Sequence, residues 1–376
     1  MISRSASSTS VPARVAAGCV VAALIAGACG SDDDGGSTGP ISDGFAQIPL
    51  EVYERAEDAD TAFIEIAVAD LAAVSATEGL DEPEAGRSEQ AIQDWYVDLA
   101  LGRDDAESDV TVVLPPDPNL AMASPADVED ATGLDTGAIE SFAHLVALPT
   151  SLSVYSGGLL LSSDLESIGD GLVSLGGGED GELSLDTDPT IDRLGRPVRF
   201  AERDGTVALS YSTDLVAAWN EGGQTLVDDA RFRDLAGVLD DAGMAAAFVL
   251  AGDFGEISPF ASDELAAELD DAKVIETPFG IAAGAMGVVG DEPVNVIAYV
   301  FDGDDDAEAA VEDLESAWSD AQLITRPGAG IDDYYDLRDV DRTGRVVAVT
   351  VAPQEGIDTR RIIDLMLSQD LQFMHR

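Results

Sequence analysis

Residues 196–212 read RPVRFAERDGTVALSYS, and how this stretch is read decides the fold. Two runs rich in Val, Phe, Leu and Tyr flank Asp204-Gly205, a pair suited to the positive backbone angles of a two-residue hairpin turn. The stretch predicts two neighbouring antiparallel strands, followed by a helix over residues 213–219. Upstream lie a strand at residues 151–158 (SLSVYSGG) and a helix around residues 164–175. The same order returns near the C-terminus. A strand at 294–301 (VNVIAYVF) and a helix at 306–318 lead to a strand at 332–338. A turn at Thr343-Gly344, a strand at 345–352 (RVVAVTVA) and a helix at 359–367 complete it. Both turns carry an acid-Arg-x-Gly pattern, Glu202-Arg203-Asp204-Gly205 and Asp341-Arg342-Thr343-Gly344. Ser153 to Thr206 is 53 residues and Asn295 to Arg345 is 50. A duplicated β-α-β-β-α unit of this kind predicts an α+β fold, with mixed or antiparallel sheets and helices packed on one face.

Working outward, residues 62–67 read as a strand, and 89–101 as a helix with Ile92, Trp95, Tyr96 and Leu99 on one side. Residues 110–115 form a strand ended by prolines. Residues 134–148 show helical spacing, with Ile139, Phe142, Ala143 and Val146 facing inward. Between the two units come a helix carrying Phe232, Leu235, Ala236 and Leu239, a strand at 245–251, and a hairpin pairing 280–289 with 294–301.

Composition bounds the function. The chain has 376 residues, 74 acidic and 19 basic, for a net charge of −55, with a single lysine, Lys273. Its 45% hydrophobic content supplies a core, so the acids form the skin of a globular body. No basic patch offers a nucleic-acid footprint. The acid excess fits either adaptation to high salt or the compositional habit of a GC-rich genome. Both cysteines, Cys19 and Cys29, lie near the N-terminus, so the body holds no disulfide.

That terminus has its own logic. Arg4 and Arg14 precede an uncharged run of 14 residues, 15–28, which is shorter than the roughly 20 a spanning helix needs. The run stops at Cys29, and Gly, Ser and Asp take over. Ala26-Gly27-Ala28-Cys29 resembles the lipobox of bacterial lipoproteins, with Ala26 where that family usually has Leu. The resemblance implies cleavage before Cys29 and a diacylglyceryl group on its sulfur, and two acyl chains suffice to hold a protein on a membrane. It covers residues 1–40 only. The organisation expected is a signal peptide at 1–28, a flexible acidic Gly/Ser linker at 29–44, an α+β region at 45–257 with the first unit, and a second at 258–376. Residues 209–250 also resemble uncharacterised secreted proteins of high-GC Gram-positive bacteria, a likeness that brings no activity.

Catalytic constellations are scarce. His144 falls four residues after Glu140 and reads as a solvated side chain paired with it; His375 is penultimate. No Gly-x-Ser-x-Gly elbow or Ser-x-x-Lys occurs, and the body lacks the ligands zinc prefers. The glycine-rich 176–181 carries acids that repel phosphate and reads as a plain loop. Calcium prefers carboxylates, which makes Asp302, Asp304 and Asp306 candidate ligands at the head of the 306–318 helix. Ala307 and Asp313 stand where an EF-hand loop has Gly and Glu. In the simpler reading Asp305 or Asp306 caps that helix. Asp332, Asp333 and Asp336 with Tyr334 and Tyr335 form a second acidic cluster that suits an ion, a sugar or a strand edge. The function expected is therefore a lipid-anchored module on the outer side of the membrane. It would be a non-enzymatic binding or scaffolding body with no cofactor and an unknown ligand or protein partner. A transporter's substrate-binding lipoprotein and a carboxylate-based glycoside hydrolase remain the alternatives.

Overall fold

Asp204 and Gly205 take left-handed backbone angles (φ 53° and 77°), and Arg203 faces Thr206 across the turn they make. The hairpin belongs to a computed structural model that describes residues 39–58, 63–83, 87–102, 110–118, 120–183, 191, 195–252, 254, 275, 277–290, 292–318, 323 and 329–367. In chain order its helices are α1 (Pro40–Phe45), α2 (Leu50–Asp58), α3 (Leu71–Glu78), α4 (Glu89–Leu101), α5 (Pro125–Thr132), α6 (Thr213–Glu221), α7 (Ala230–Asp241), α8 (Asp304–Trp318) and α9 (Arg361–Leu367). The strands are β1 (Phe63–Asp70), β2 (Ser141–Ala147), β3 (Thr150–Ser156), β4 (Glu166–Gly169), β5 (Leu172–Leu175), β6 (Val198–Arg203), β7 (Thr206–Ser210), β8 (Met244–Gly252), β9 (Phe279–Val289), β10 (Glu292–Phe301), β11 (Tyr335–Thr343) and β12 (Val346–Pro353).

All twelve strands join one antiparallel sheet in the order β11-β12-β10-β9-β8-β1-β2-β3-β7-β6-β5-β4. The order contains a repeat. β1-β2-β3-β7-β6 and β8-β9-β10-β12-β11 follow the same path, and the halves meet where β1 pairs with β8, Ala67 opposite Phe248. Each half thus adds two strands to the unit read from sequence. The second half places α8 between β10 and β11; the first places the hairpin β4–β5 there, which lengthens the sheet.

The α+β class stands, and helices cover both faces where the sequence pattern pointed to one. α3, α4, α5, α8 and α9 pack on one side around Trp95, Tyr96, Phe248 and Tyr299. α1, α2, α6 and α7 pack on the other around Phe45, Tyr53, Trp219 and Phe232. Phe232 stands edge-on to Tyr53 and Phe45, with ring centroids 4.9 and 5.6 Å apart.

Several expected elements change. Residues 134–148 are a short 3-10 turn (Thr136–Ala138) and the strand β2, which is buried on both faces, so its apolar residues show no strand alternation. The helix expected at 164–175 is the hairpin β4–β5, turned by Asp170 and Gly171 at φ 51° and 80°. Residues 110–115 belong to no strand of the sheet. The expected linker at 29–44 is shorter, since α1 begins at Pro40 and buries Ile41 and Phe45. The expected boundary at 257/258 lies outside the described residues, while β8 and β9 pair directly across that gap in sequence.

α1 lies close against the sheet, and the contact sets the sign of one substitution. A Cβ on Gly44 would meet Val68 at 2.8 Å, whereas one on Gly237, inside α7, would meet nothing within 4 Å. Helix propensity favours Ala at both sites by up to about 1 kcal/mol. Urea denaturation should therefore show Gly237→Ala stabilised by up to about 1 kcal/mol, and Gly44→Ala destabilised by about 1–3 kcal/mol through overpacking. Equal stabilisation of both variants would refute the close packing of α1.

Candidate functional site

Two clefts are formed among the described residues. The first lies where α6 ends. Leu215, Val216 and Trp219 bury one side of that helix, and its last turn brings the Trp219 indole beneath Arg203 at the end of β6. The guanidinium carbon stands 4.6 Å from the ring centroid, and Nη1 donates to the Trp219 carbonyl at 3.2 Å. A cation at a helix C-terminus complements the dipole there. The chain then turns through Gly222 and Gly223, both at positive φ (74° and 134°). A strap pins this turn against the α1–α2 connection: Leu50 donates its N–H to the Gln224 carbonyl (2.9 Å), and Leu226 donates to that of Ile48 (3.0 Å). Between strap and helix is a cavity of about 270 Å³ lined by no aspartate or glutamate.

The second cleft, about 150 Å³, lies beside α3 and α4 and is lined by Glu82, Trp95, Ile139 and Glu140 among others. It holds the two carboxylates and the aromatic that a sugar hydrolase would use. Both acids stand exposed, however, and the Trp95 Nε1–H is already donated to Ser75 Oγ at 2.9 Å. Gly157 closes one wall, where a Cβ would strike the Ala138 carbonyl oxygen at 1.9 Å.

The residues singled out from sequence fall elsewhere. Cys29 and His375 lie outside the described residues. Asp302, Asp304 and Asp306 are exposed, and α8 starts at Asp304, so Asp305 and Asp306 sit in its first turn, where negative charge suits the dipole. Among the described residues no three His, Cys, Asp or Glu side chains converge as a metal site. In the 332–336 cluster, Asp333 Oδ2 accepts the Gly330 N–H at 3.0 Å, and Tyr335 is fully buried. The 176–181 loop is firmly held rather than plain. Arg199, 4% exposed, donates to the Gly178 carbonyl (2.7 Å) and to Asp180 Oδ1 (2.9 Å), and Asp180 in turn accepts the Thr213 N–H at the head of α6. Burial alone would raise the Asp180 pKa; the hydrogen bonds from Thr213 and Arg199 outweigh it and hold the carboxylate below its usual range.

His144 requires the largest correction. It lies in β2, 4% exposed, opposite Ser153 rather than solvated beside Glu140. Its Nδ1 and Ser153 Oγ are 2.8 Å apart, and Nε2 has no partner. A hydrogen-bonded His and Ser resemble two parts of a nucleophilic triad, yet Ser153 is 1% exposed and neither cleft reaches them. No substrate can approach the pair. The sequence also gave no sign of the Arg203–Trp219 cleft. Its parts come from α1–α2, β6 and α6, and only the sheet brings them together. No family model, curated protein or solved structure matches the chain.

The His144 environment makes a pH prediction. Burial lowers its pKa from 6.5 to about 4. Between those values the unfolded chain takes up a proton that the native state refuses, so stability falls as pH drops below 6.5 and levels off below 4. At 1.36 kcal/mol per unit the loss amounts to about 3 kcal/mol. Urea melts at pH 7 and pH 4 should show His144→Gln losing less stability than the native protein by about that amount. The carboxylates titrate alike in both proteins, so parallel losses would refute the buried neutral imidazole.

Proposed function

We propose that the protein is an extracytoplasmic lipoprotein, anchored in the cell membrane through acyl chains on Cys29, whose folded body is a non-enzymatic binding module. The observation that carries the reading is the apolar run at 15–28 ending in Cys29, only ten residues ahead of Gly39, where the described body starts. Ten extended residues span at most roughly 35 Å, so such a tether keeps the body close to the lipid surface. No helix among the described residues is long and apolar enough to cross a membrane. A body in a chain of net charge −55 gains nothing from anionic head groups, which leaves the lipid chains as the source of attachment.

Binding is favoured over the two alternatives by the site geometry. Substrate-binding proteins of transporters are built from parallel β-α alternation in two lobes, and this sheet is antiparallel throughout. Hydrolysis of a glycosidic bond needs two carboxyl groups set about an enclosed sugar, and Glu82 and Glu140 both stand exposed. The cleft beneath Arg203 offers hydrogen-bond donors and no acid or base to move a proton, which suits holding a ligand rather than transforming it.

Membrane partition tests the anchor. In a bacterial host the native chain should sediment with membranes, resist a high-salt wash and be released by detergent. Cys29→Ser should appear in the soluble fraction. A variant that stays with the salt-washed membranes would overturn the anchor.

A further inference from the structure

We propose that the cleft beneath Arg203 binds a small polyhydroxylated carboxylate, a sugar acid in chemical class. The carboxylate would sit on the Arg203 guanidinium, and the hydroxyls on the amides of Gln47 and Gln224. This names the ligand class of the binding module proposed above and rests on that reading.

The charge pattern comes first. Acidic residues outnumber basic ones by 74 to 19, yet none lines this cavity, and its one charged group is a cation. Among the described residues Arg203 makes no ion pair. It gives one Nη1–H to the Trp219 carbonyl and lies over the indole ring. A guanidinium carries five N–H donors in a planar fork, so the edge away from that carbonyl is free to meet a carboxylate with two parallel hydrogen bonds. The indole and the Trp219 carbonyl together place the guanidinium before any ligand arrives. At Gly222 an added Cβ would come within 3.2 Å of Nη1, so the glycine keeps the approach open.

The remaining donors point to a polar ligand. Trp219 lines the cavity and is 1% exposed, and its Nε1–H has no partner. That donor is closed off from solvent, so the indole serves the cavity as an apolar wall beneath the guanidinium. Gln47 and Gln224 line the same space, and their side chains make no hydrogen bond with the described residues. At about 270 Å³ the cavity far exceeds the roughly 10–15 Å³ that one water needs, and it is larger than a single inorganic oxyanion requires. One cation within so negative a protein also favours a monoanion over doubly charged phosphate.

The test is calorimetric titration of the full chain at pH 7. The probes are sodium D-glucuronate, D-galacturonate and D-gluconate, with D-glucose and inorganic phosphate at matched ionic strength as controls. At least one sugar acid should bind saturably with a dissociation constant below about 1 mM, and glucose and phosphate should bind at least tenfold more weakly. Arg203→Gln should weaken the sugar acid at least tenfold while circular dichroism shows the chain still folded, its melting point lowered by loss of the Trp219 contacts. Gln224→Ala, at an exposed position, should weaken it severalfold. The proposal is overturned if none of the three acids binds saturably, if phosphate or glucose binds as tightly, or if Arg203→Gln binds the acid unchanged. Membrane partition of Cys29→Ser reports on the anchor alone, so failure of either idea is visible without the other.

Discussion

The pairing of β1 with β8 is the constraint on which the rest of the structure depends. Those strands sit at the centre of the sheet, and their seven antiparallel partners from Phe63–Gly252 to Ala69–Ala246 join two five-strand halves. A central strand must be buried on both faces, and β8 obliges with Met244, Ala245, Ala246, Ala247, Phe248, Val249, Leu250 and Ala251 all inside. Small residues there have a second consequence. They leave room for helices on both sides, and on α1 a glycine adds to it, Gly44 lying against Val68 of β1. α1 is in turn held by Asp240 of α7, whose carboxylate accepts the N–H groups of Ile41 (2.9 Å) and Ser42 (3.1 Å). A side chain from a distant helix thus does the work of a local N-cap, and the six-residue helix is stable only because the sheet has already placed α7 beside it.

Some of this architecture was legible in the sequence and some was not, for physical reasons. The hairpin at Asp204-Gly205 declared itself because the turn needs positive φ at both positions, and few residue pairs permit that. The helix at residues 89–101 was legible because it is half-buried, so Trp95, Tyr96 and Leu99 stand out at helical spacing. The segment at 134–148 misled for the converse reason. Ala143 and Leu145 face one core while Phe142 faces the other, so apolar residues fall on both sides of the strand and no two-residue alternation survives. The hairpin β4–β5 is the instructive case, since Asp170-Gly171 carried the same turn signal as Asp204-Gly205. The repeat pattern argued for a helix there, and the local chemistry was the better guide.

The clefts were illegible for a different reason. Residues 46–49, 203 and 219–225 share no pattern in the chain; they meet because β6 and α6 are adjacent and the bridge between Pro49 and Thr225 folds the first connection over them. His144 is a further example. Its distance from Glu140 in sequence suggested a helical pair, whereas the register of β2 on β3 sets it against Ser153 in the interior.

Arginines give the clearest view of how so acidic a protein uses positive charge. Several serve backbone carbonyls, alone or beside a carboxylate: Arg199 to Gly178, Arg233 to Val227 and Asp228, Arg360 to Ala100 at the end of α4. A carbonyl at a helix end or loop has no other donor, and a guanidinium can satisfy it while keeping further N–H groups for a carboxylate. Arg199 does both, tying Asp180 as well as Gly178 and Ser174, so each of its three nitrogens donates within the fold. Arg203 makes the first half of that arrangement with Trp219 and faces a cavity where the second half would be. The contrast between two arginines four residues apart on one strand separates a structural tie from a group with bonding capacity in reserve.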